Sequence, residues 1–299
     1  MQSSIPLWGM WEFTKEQPVT NRNPFDLEIK AVFQKGNRKL TSYGFYDGSD
    51  TFKIRFMPDC EGEWAYEIFS EIPGLNGITG CFTCTPPEEG EHGVARTRGL
   101  HFAYDDGSPL YPLGTTCYAW VHQPAELRRQ TIESLKKTPG FKKIRMCVFP
   151  KHYDFNKNEP ELYPFEGNLE TGFDYTRPNP KFYAHLEQCI WDLKDIGVEA
   201  DLILFYAYDH WGFAKMDQCC NRRYLKYIAY LDFSRPRFRA FHSDHPYLGR
   251  NNLPKGNYKV DIIDTWNMTI TDCGVMAMEN LYVELPARQY MAVRFTVVE

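Results

Sequence analysis

Residues 179–206 read NPKFYAHLEQCIWDLKDIGVEADLILFY. Asn179 followed by Pro180 is a helix opening, with Asn as the cap and Pro at the first helical position, where its missing N–H costs nothing. Phe182, Leu186, Cys189, Ile190 and Leu193 recur at three- and four-residue steps and predict one buried stripe. Gly197 suits the left-handed residue that ends a helix. Val198 to Tyr206 then predicts a strand. A helix running straight into an apolar strand is α/β grammar.

The same grammar extends outward. Leu110 to Ala119 predicts a strand, and Pro124 to Lys137 a helix with Leu127, Thr131 and Leu135 on one stripe, stopped by Pro139-Gly140. Phe141 to Phe149 predicts a second strand. A long loop rich in Tyr, Asn and Pro separates it from Asn179, and Asn221 to Ile228 begins a third helix. Three strand–helix units in sequence imply parallel strands with right-handed crossovers.

On either side the periodicity is two. Leu27, Ile29, Ala31 and Phe33 alternate with polar residues, as do Phe52, Ile54 and Phe56, and Trp64, Tyr66 and Ile68 follow the turn at Glu61-Gly62. Half-buried antiparallel strands in a small sandwich are the expected closure. Pro86-Pro87-Glu88-Glu89-Gly90 reads as a linker. Tyr258 to Ile263, Leu281 to Leu285 and Tyr290 to Val298 alternate again. The expected organisation is a β-sandwich module over 1–90, a partial (β/α) TIM-type barrel over 91–229 and a small C-terminal antiparallel β module over 230–299.

Composition narrows the function. The 299 residues carry a net charge of -5, which gives no reason to expect nucleic acid or an anionic membrane. No run approaches the roughly 18 apolar residues of a membrane span. The first eleven residues lack the basic and apolar regions of a signal peptide, so a cytoplasmic location is expected. Nine cysteines at irregular spacing show no zinc ligand pattern, and neither a metal nor a cofactor is expected. Aromatic residues reach 16%. Their rings suit stacking on sugars and also fill sandwich cores.

Three segments carry a resemblance. Tyr43-Gly-Phe-Tyr-Asp-Gly48, with Phe52-Lys-Ile-Arg-Phe-Met-Pro58 and Gly62-Glu-Trp64, resembles the β-sandwich module that precedes (β/α)8 glycoside hydrolases of gut and soil bacteria. Gly114-Thr-Thr-Cys-Tyr-Ala-Trp120 with His122-Gln-Pro124 forms the second. Lys143-Ile-Arg-Met-Cys-Val-Phe-Pro-Lys-His-Tyr153, with Asp201-Leu-Ile-Leu-Phe205 and Asp209-His-Trp-Gly-Phe213, forms the third. These are similar to strands one to three of apiosidase-like, family-five-like glycoside hydrolases. The tail, Val260 to Thr269 and Leu285 to Met291, resembles the β module closing the same proteins.

The resemblance implies a retaining hydrolase acting on polysaccharide or oligosaccharide. Its substrate-binding set would lie at strand ends: Tyr118, Trp120 and His122 after the first strand, Lys151 and His152 after the second, Tyr206, Asp209 and Trp211 after the third. Arg145 would bond the nucleophilic carboxylate. A full barrel takes roughly 250 residues, whereas Gly99 to Ala229 supplies about 130. No Asn-Glu pair ends a strand, and Asn158-Glu159 falls in the loop after the second strand. The chain therefore reads as internally shortened, without the strand-four and strand-seven glutamates. Asp209 at a strand end, with Asp154, Glu159, Glu161 and Glu166 on that loop, offers an alternative carboxylate set. Two functions follow: a glycoside hydrolase, or a non-catalytic carbohydrate-binding remnant. A shortened barrel would leave Arg145 without its partner and expose edges that favour a homo-oligomer.

Overall fold

The computed structural model describes residues 4–138, 140–205, 210–231, 238–241, 256–264, 267, 269–277 and 291–298. The chain forms two compact units, Met1–Ser243 and Asp244–Glu299.

The first unit begins with strands β1 (Ser4–Pro6), β2 (Trp11–Glu16), β3 (Ile29–Lys35), β4 (Arg38–Tyr46), β5 (Thr51–Phe56), β6 (Gly62–Ser70) and β7 (Thr79–Thr85). They form one sheet in the order β1-β7-β6-β3-β4-β5-β2. The long strand β4 lets this sheet double over. Its first part, Arg38 to Tyr43, pairs with β3, and Gly44 to Tyr46 pair with β5. Gly44 is required at that passage, because a Cβ there would overlap the Lys53 carbonyl oxygen.

The alternating residues read from the sequence fill the sandwich. Ile29, Ala31, Phe33, Phe52, Ile54, Trp64 and Ile68 are fully buried. Phe33 stacks on Phe56 with ring centroids 3.8 Å apart, and Trp11 meets Phe33 edge-on at 5.0 Å. Such contacts add roughly 0.5–1.5 kcal/mol per pair beyond area burial.

A small meander follows, of β8 (Arg96–Arg98), β9 (His101–Ala103) and β10 (Pro109–Leu110). The α/β layer then comprises β11 (Gly114–Thr116), α1 (Ala125–Lys137), β12 (Lys143–Cys147), α2 (Pro180–Lys194), β15 (Glu199–Ile203), α3 (Gln218–Leu231) and β16 (Phe238–Phe241). Its four strands run parallel in the order β11-β12-β15-β16. Among the described residues three βα units are thus present, as expected, and the fourth strand lies beyond the boundary drawn at 229. Between β12 and α2 the presumed long loop contains a hairpin, β13 (Phe165–Asn168) and β14 (Gly172–Pro178).

Two sequence expectations are corrected here. Leu110 to Ala119 is not one strand: Pro112 lies between β10 and β11, and the segment ends in a 3-10 turn at Trp120–His122. In α1 the expected stripe is incomplete, since Leu127 is 45% exposed and only Leu135 is buried. This helix follows the edge strand, where the sheet offers a neighbour on one side only. By contrast α2 matches its sequence closely. Asn179 accepts the Lys181 N–H, Pro180 opens the helix, and Gly197 has φ 71°.

Ile144, Met146, Val148, Ala200, Leu202 and Leu204 share one core with the helices. Lys143, Arg145, Cys147, Glu199, Asp201 and Ile203 occupy the opposite parity and so the other sheet face. Sandwich and α/β layer meet at Arg55, whose side chain is 5% exposed. It bonds Glu12 at 2.8 Å, Glu187 at 3.0 Å and the Leu231 carbonyl at 3.0 Å. Tyr43 stacks on Tyr230, and Tyr227 donates to the Tyr46 carbonyl.

Among its described residues the second unit forms an antiparallel sheet with β17 (Asn257–Asp264) between β18 (Thr269–Ala277) and β19 (Met291–Val298). Arg294 bonds the buried Asp261 at 2.7 Å. The expected strand at Leu281 to Leu285 lies outside the described residues.

Candidate functional site

The carboxyl ends of β12 and β15 converge on one cluster. Glu159, in the loop after β12, accepts the Trp211 indole N–H at 2.8 Å and the Tyr163 hydroxyl at 2.8 Å. His210 Nε2 lies 2.8 Å from its other oxygen. The His152 ring packs 4.3 Å from that of His210 and meets Trp211 edge-on at 6.3 Å. Burial works against the charge on Glu159, but the bonds from Trp211, Tyr163 and His210 outweigh it and lower its pKa. Glu159 and His210 expose 45% and 39% of their side chains, so a ligand can reach both.

An aromatic surface continues along the same loop. Tyr153 and Asn156 form an isolated bridge that closes a tight turn, and Phe155 at its tip is 93% exposed. Its ring meets that of Tyr153 edge-on at 6.3 Å. An exposed phenyl group gains nothing from folding, whereas it offers a flat apolar face to a ligand.

Of the residues anticipated from sequence, His152 and Trp211 belong to this cluster. Tyr118 is half-buried, and its carbonyl accepts the Cys147 N–H. Trp120 and His122 are packed inside, at 3% and 8% exposure. Trp120 donates to the Arg128 carbonyl, and His122 stacks on Phe182 with Nε2 at the Val148 carbonyl. Burial brings the His122 pKa down to about 4, so the ring is neutral at pH 7. Lys151 is fully buried, and burial lowers its pKa to about 8 against the opposing pull of the Cys147 thiol. These three side chains support the sheet end from beneath. Tyr206 and Asp209 lie outside the described residues.

Arg145 differs from expectation in a specific way. It is not left without a partner: its Nε lies 3.1 Å from Asp201 Oδ2 on the adjacent strand, and Lys143 Nζ reaches the same oxygen at 3.0 Å. Asp201 is 1% exposed, and its Oδ1 has no hydrogen-bond partner among the described residues. The register places Arg145 opposite Asp201, so the sheet itself neutralises the arginine.

Sequence reasoning passed over the central position of Glu159. Its partners Trp211 and His210 lie more than fifty residues away, and no local pattern links them. The available signal was the density of Tyr, His and carboxylate in two strand-end loops. Among the described residues no group of His, Cys, Asp and Glu could hold a metal ion, and no helix is long and apolar enough to cross a membrane.

Comparison with known proteins adds an independent line. A family described as a domain of unknown function (DUF5060) matches residues 4–71, and a second (DUF5605) matches residues 214–296. A crystal structure of a putative glycoside hydrolase from Bacteroides vulgatus is similar at 42% identity and a TM-score of 0.75. That match covers 81% of this chain and 49% of the other, so the chain spans about half the length of that structure. A family 5 glycoside hydrolase from the same organism aligns at 13% identity and a TM-score of 0.38, covering 51% of this chain and 33% of the other. An endo-1,4-beta-mannanase from Rhizomucor miehei aligns at 16% and 0.27, over 36% and 29%. No curated protein matches the chain.

Proposed function

We propose that this chain, a relative of bacterial glycoside hydrolases, binds saccharide at the carboxyl end of its parallel sheet and does so without cleaving it. The observation that carries this is the open cluster of Glu159, His210 and His152 beside the protruding Phe155. A phenyl face and imidazole rings stack on the apolar face of a sugar, while an ionised carboxylate accepts its hydroxyls. The buried Trp211 and half-buried Tyr163 fix Glu159 in place, so little entropy is lost when a hydroxyl binds.

Binding is favoured over turnover by what surrounds Glu159. Retaining hydrolysis needs two carboxyl groups about 5 Å apart, one of them protonated at working pH. Trp211 and Tyr163 donate to Glu159, and these bonds together with His210 favour its carboxylate form. Arg145, which the family resemblance assigns to a nucleophile, is bonded to Asp201 on the adjacent strand. The kinship with a glycoside hydrolase supports carbohydrate as the ligand class.

The test is a titration of neutral plant and microbial oligosaccharides, paired with a panel of nitrophenyl glycosides. Saccharide binding without release of nitrophenol is expected. Phe155→Ala should weaken binding about two- to tenfold, the loss of one stacking contact, with an unchanged melting temperature because the ring is solvent-exposed. Turnover abolished by Glu159→Gln would establish catalysis instead. Absence of binding across the panel would remove the proposal.

A further inference from the structure

A cavity of about 510 Å³ lies at the opposite end of the parallel sheet. Lys142 precedes β12, Glu199 opens β15, and Lys194 to Val198 close α2, so this is the amino end of the strands. The linker at Glu89 to His92 and the meander at Tyr104 and Ser108 to Tyr111 form the other wall. The volume falls within the roughly 300–1,000 Å³ of small-molecule sites.

Its walls are held apart by defined bonds. Lys194 Nζ meets Glu91 at 2.6 Å, and the Tyr104 hydroxyl donates to Glu199 at 2.8 Å. His92 stacks on Tyr104 at 5.4 Å, and its Nδ1 is held by Asp106 at 2.6 Å. Both connections tie the linker and meander to the α/β layer, so the cavity is built rather than left by loose packing. Tyr111 stands at its mouth, 75% exposed.

Charge limits what can enter. Glu89, Glu91, Asp195 and Glu199 face Lys142 and Lys194, which leaves an excess of negative charge. The carboxyl terminus of α2 adds the negative end of a helix dipole. Phosphates, sulfates and carboxylates are therefore repelled. A wall rich in acceptors, with a ring at the entrance, suits an uncharged ligand rich in hydroxyl donors.

We propose that this cavity is a second saccharide site, taking one or two neutral sugar rings, separate from the rim around Glu159. It stands on its own lining and does not require the rim reading.

The test is a titration of the full chain with neutral disaccharides (cellobiose, maltose, lactose and mannobiose) and with digalacturonic acid, followed by amide NMR. Saturable shifts at Gly197, Val198 and Glu199 are expected with at least one neutral disaccharide and not with digalacturonic acid. Tyr111→Ala should weaken that response about tenfold and leave the fold intact, because the ring is mostly solvated. Phe155→Ala should leave it unchanged, which separates this site from the rim. The proposal is overturned if no neutral disaccharide moves those amides. It is equally overturned if digalacturonic acid binds as well, if Tyr111→Ala has no effect, or if Phe155→Ala removes the response.

Discussion

Replacing Asp201 by Asn tests how the polar face of the parallel sheet is held. The carboxylate is 1% exposed and serves both Lys143 and Arg145 through one oxygen. Asn keeps the shape and removes the charge, so Lys143 and Arg145 both lose their ionic contact with residue 201. Hydrogen bonds to charged groups are worth about 1.5–3 kcal/mol each, which gives roughly 3–6 kcal/mol for the pair. The Lys143 and Arg145 side chains are 20% and 30% exposed and recover part of this from water. Halving the sum for that screening leaves roughly 1.5–3 kcal/mol. In a unit of this size 1 kcal/mol moves the midpoint by about 2–4 °C, so Tm should fall by about 3–12 °C. Circular dichroism melts and urea titrations measure it. A double variant, Arg145→Met with Asp201→Asn, should lose less than the sum of the singles by about 1 kcal/mol or more. A Tm shift below about 1 °C, or strict additivity in the cycle, would refute the pairing as a stabilising contact.

Two titration experiments follow from the site. The neutral, buried His122 has its pKa brought down to about 4, so the unfolded chain takes up the proton first as pH falls. Stability should decline from about pH 6.5 to about pH 4, by about 3 kcal/mol in full, and His122→Asn should flatten that limb in a plot of Tm against pH. Glu159 acts in the same direction, within the carboxylate range. Its lowered pKa stabilises the fold above the ordinary carboxylate value, and this is lost as pH drops through the folded value. Glu159→Gln should therefore narrow the difference in Tm between pH 7 and pH 3, and an equal or wider difference would contradict the cluster.

Much of the fold was legible because it rests on short periods. Phe52, Ile54 and Phe56 alternate in sequence and are buried together. The cap at Asn179 and the stop at Gly197 delimit α2 within a few residues. The hairpin β13–β14 escaped notice because Phe165 to Pro178 mixes aromatics, charges and glycines without a clean alternation. The pairing of Arg145 with Asp201 depends on register between two strands separated by a helix, which no local pattern specifies. The candidate site was legible only in part for the same reason: residue types marked the strand ends, but burial decided that Trp120, His122 and Lys151 point into the packing.

Arg55 has a consequence for biogenesis. Its three acceptors come from residues 12, 187 and 231, so the guanidinium can be fully accommodated only after α3 has left the ribosome. The sandwich is synthesised first and must wait, with a cation and the aromatic faces of Tyr43 and Phe45 turned toward helices that do not yet exist. Vectorial folding of this chain therefore has a built-in late step, and nascent fragments ending before Leu231 should depend on chaperones in a way that the finished chain does not.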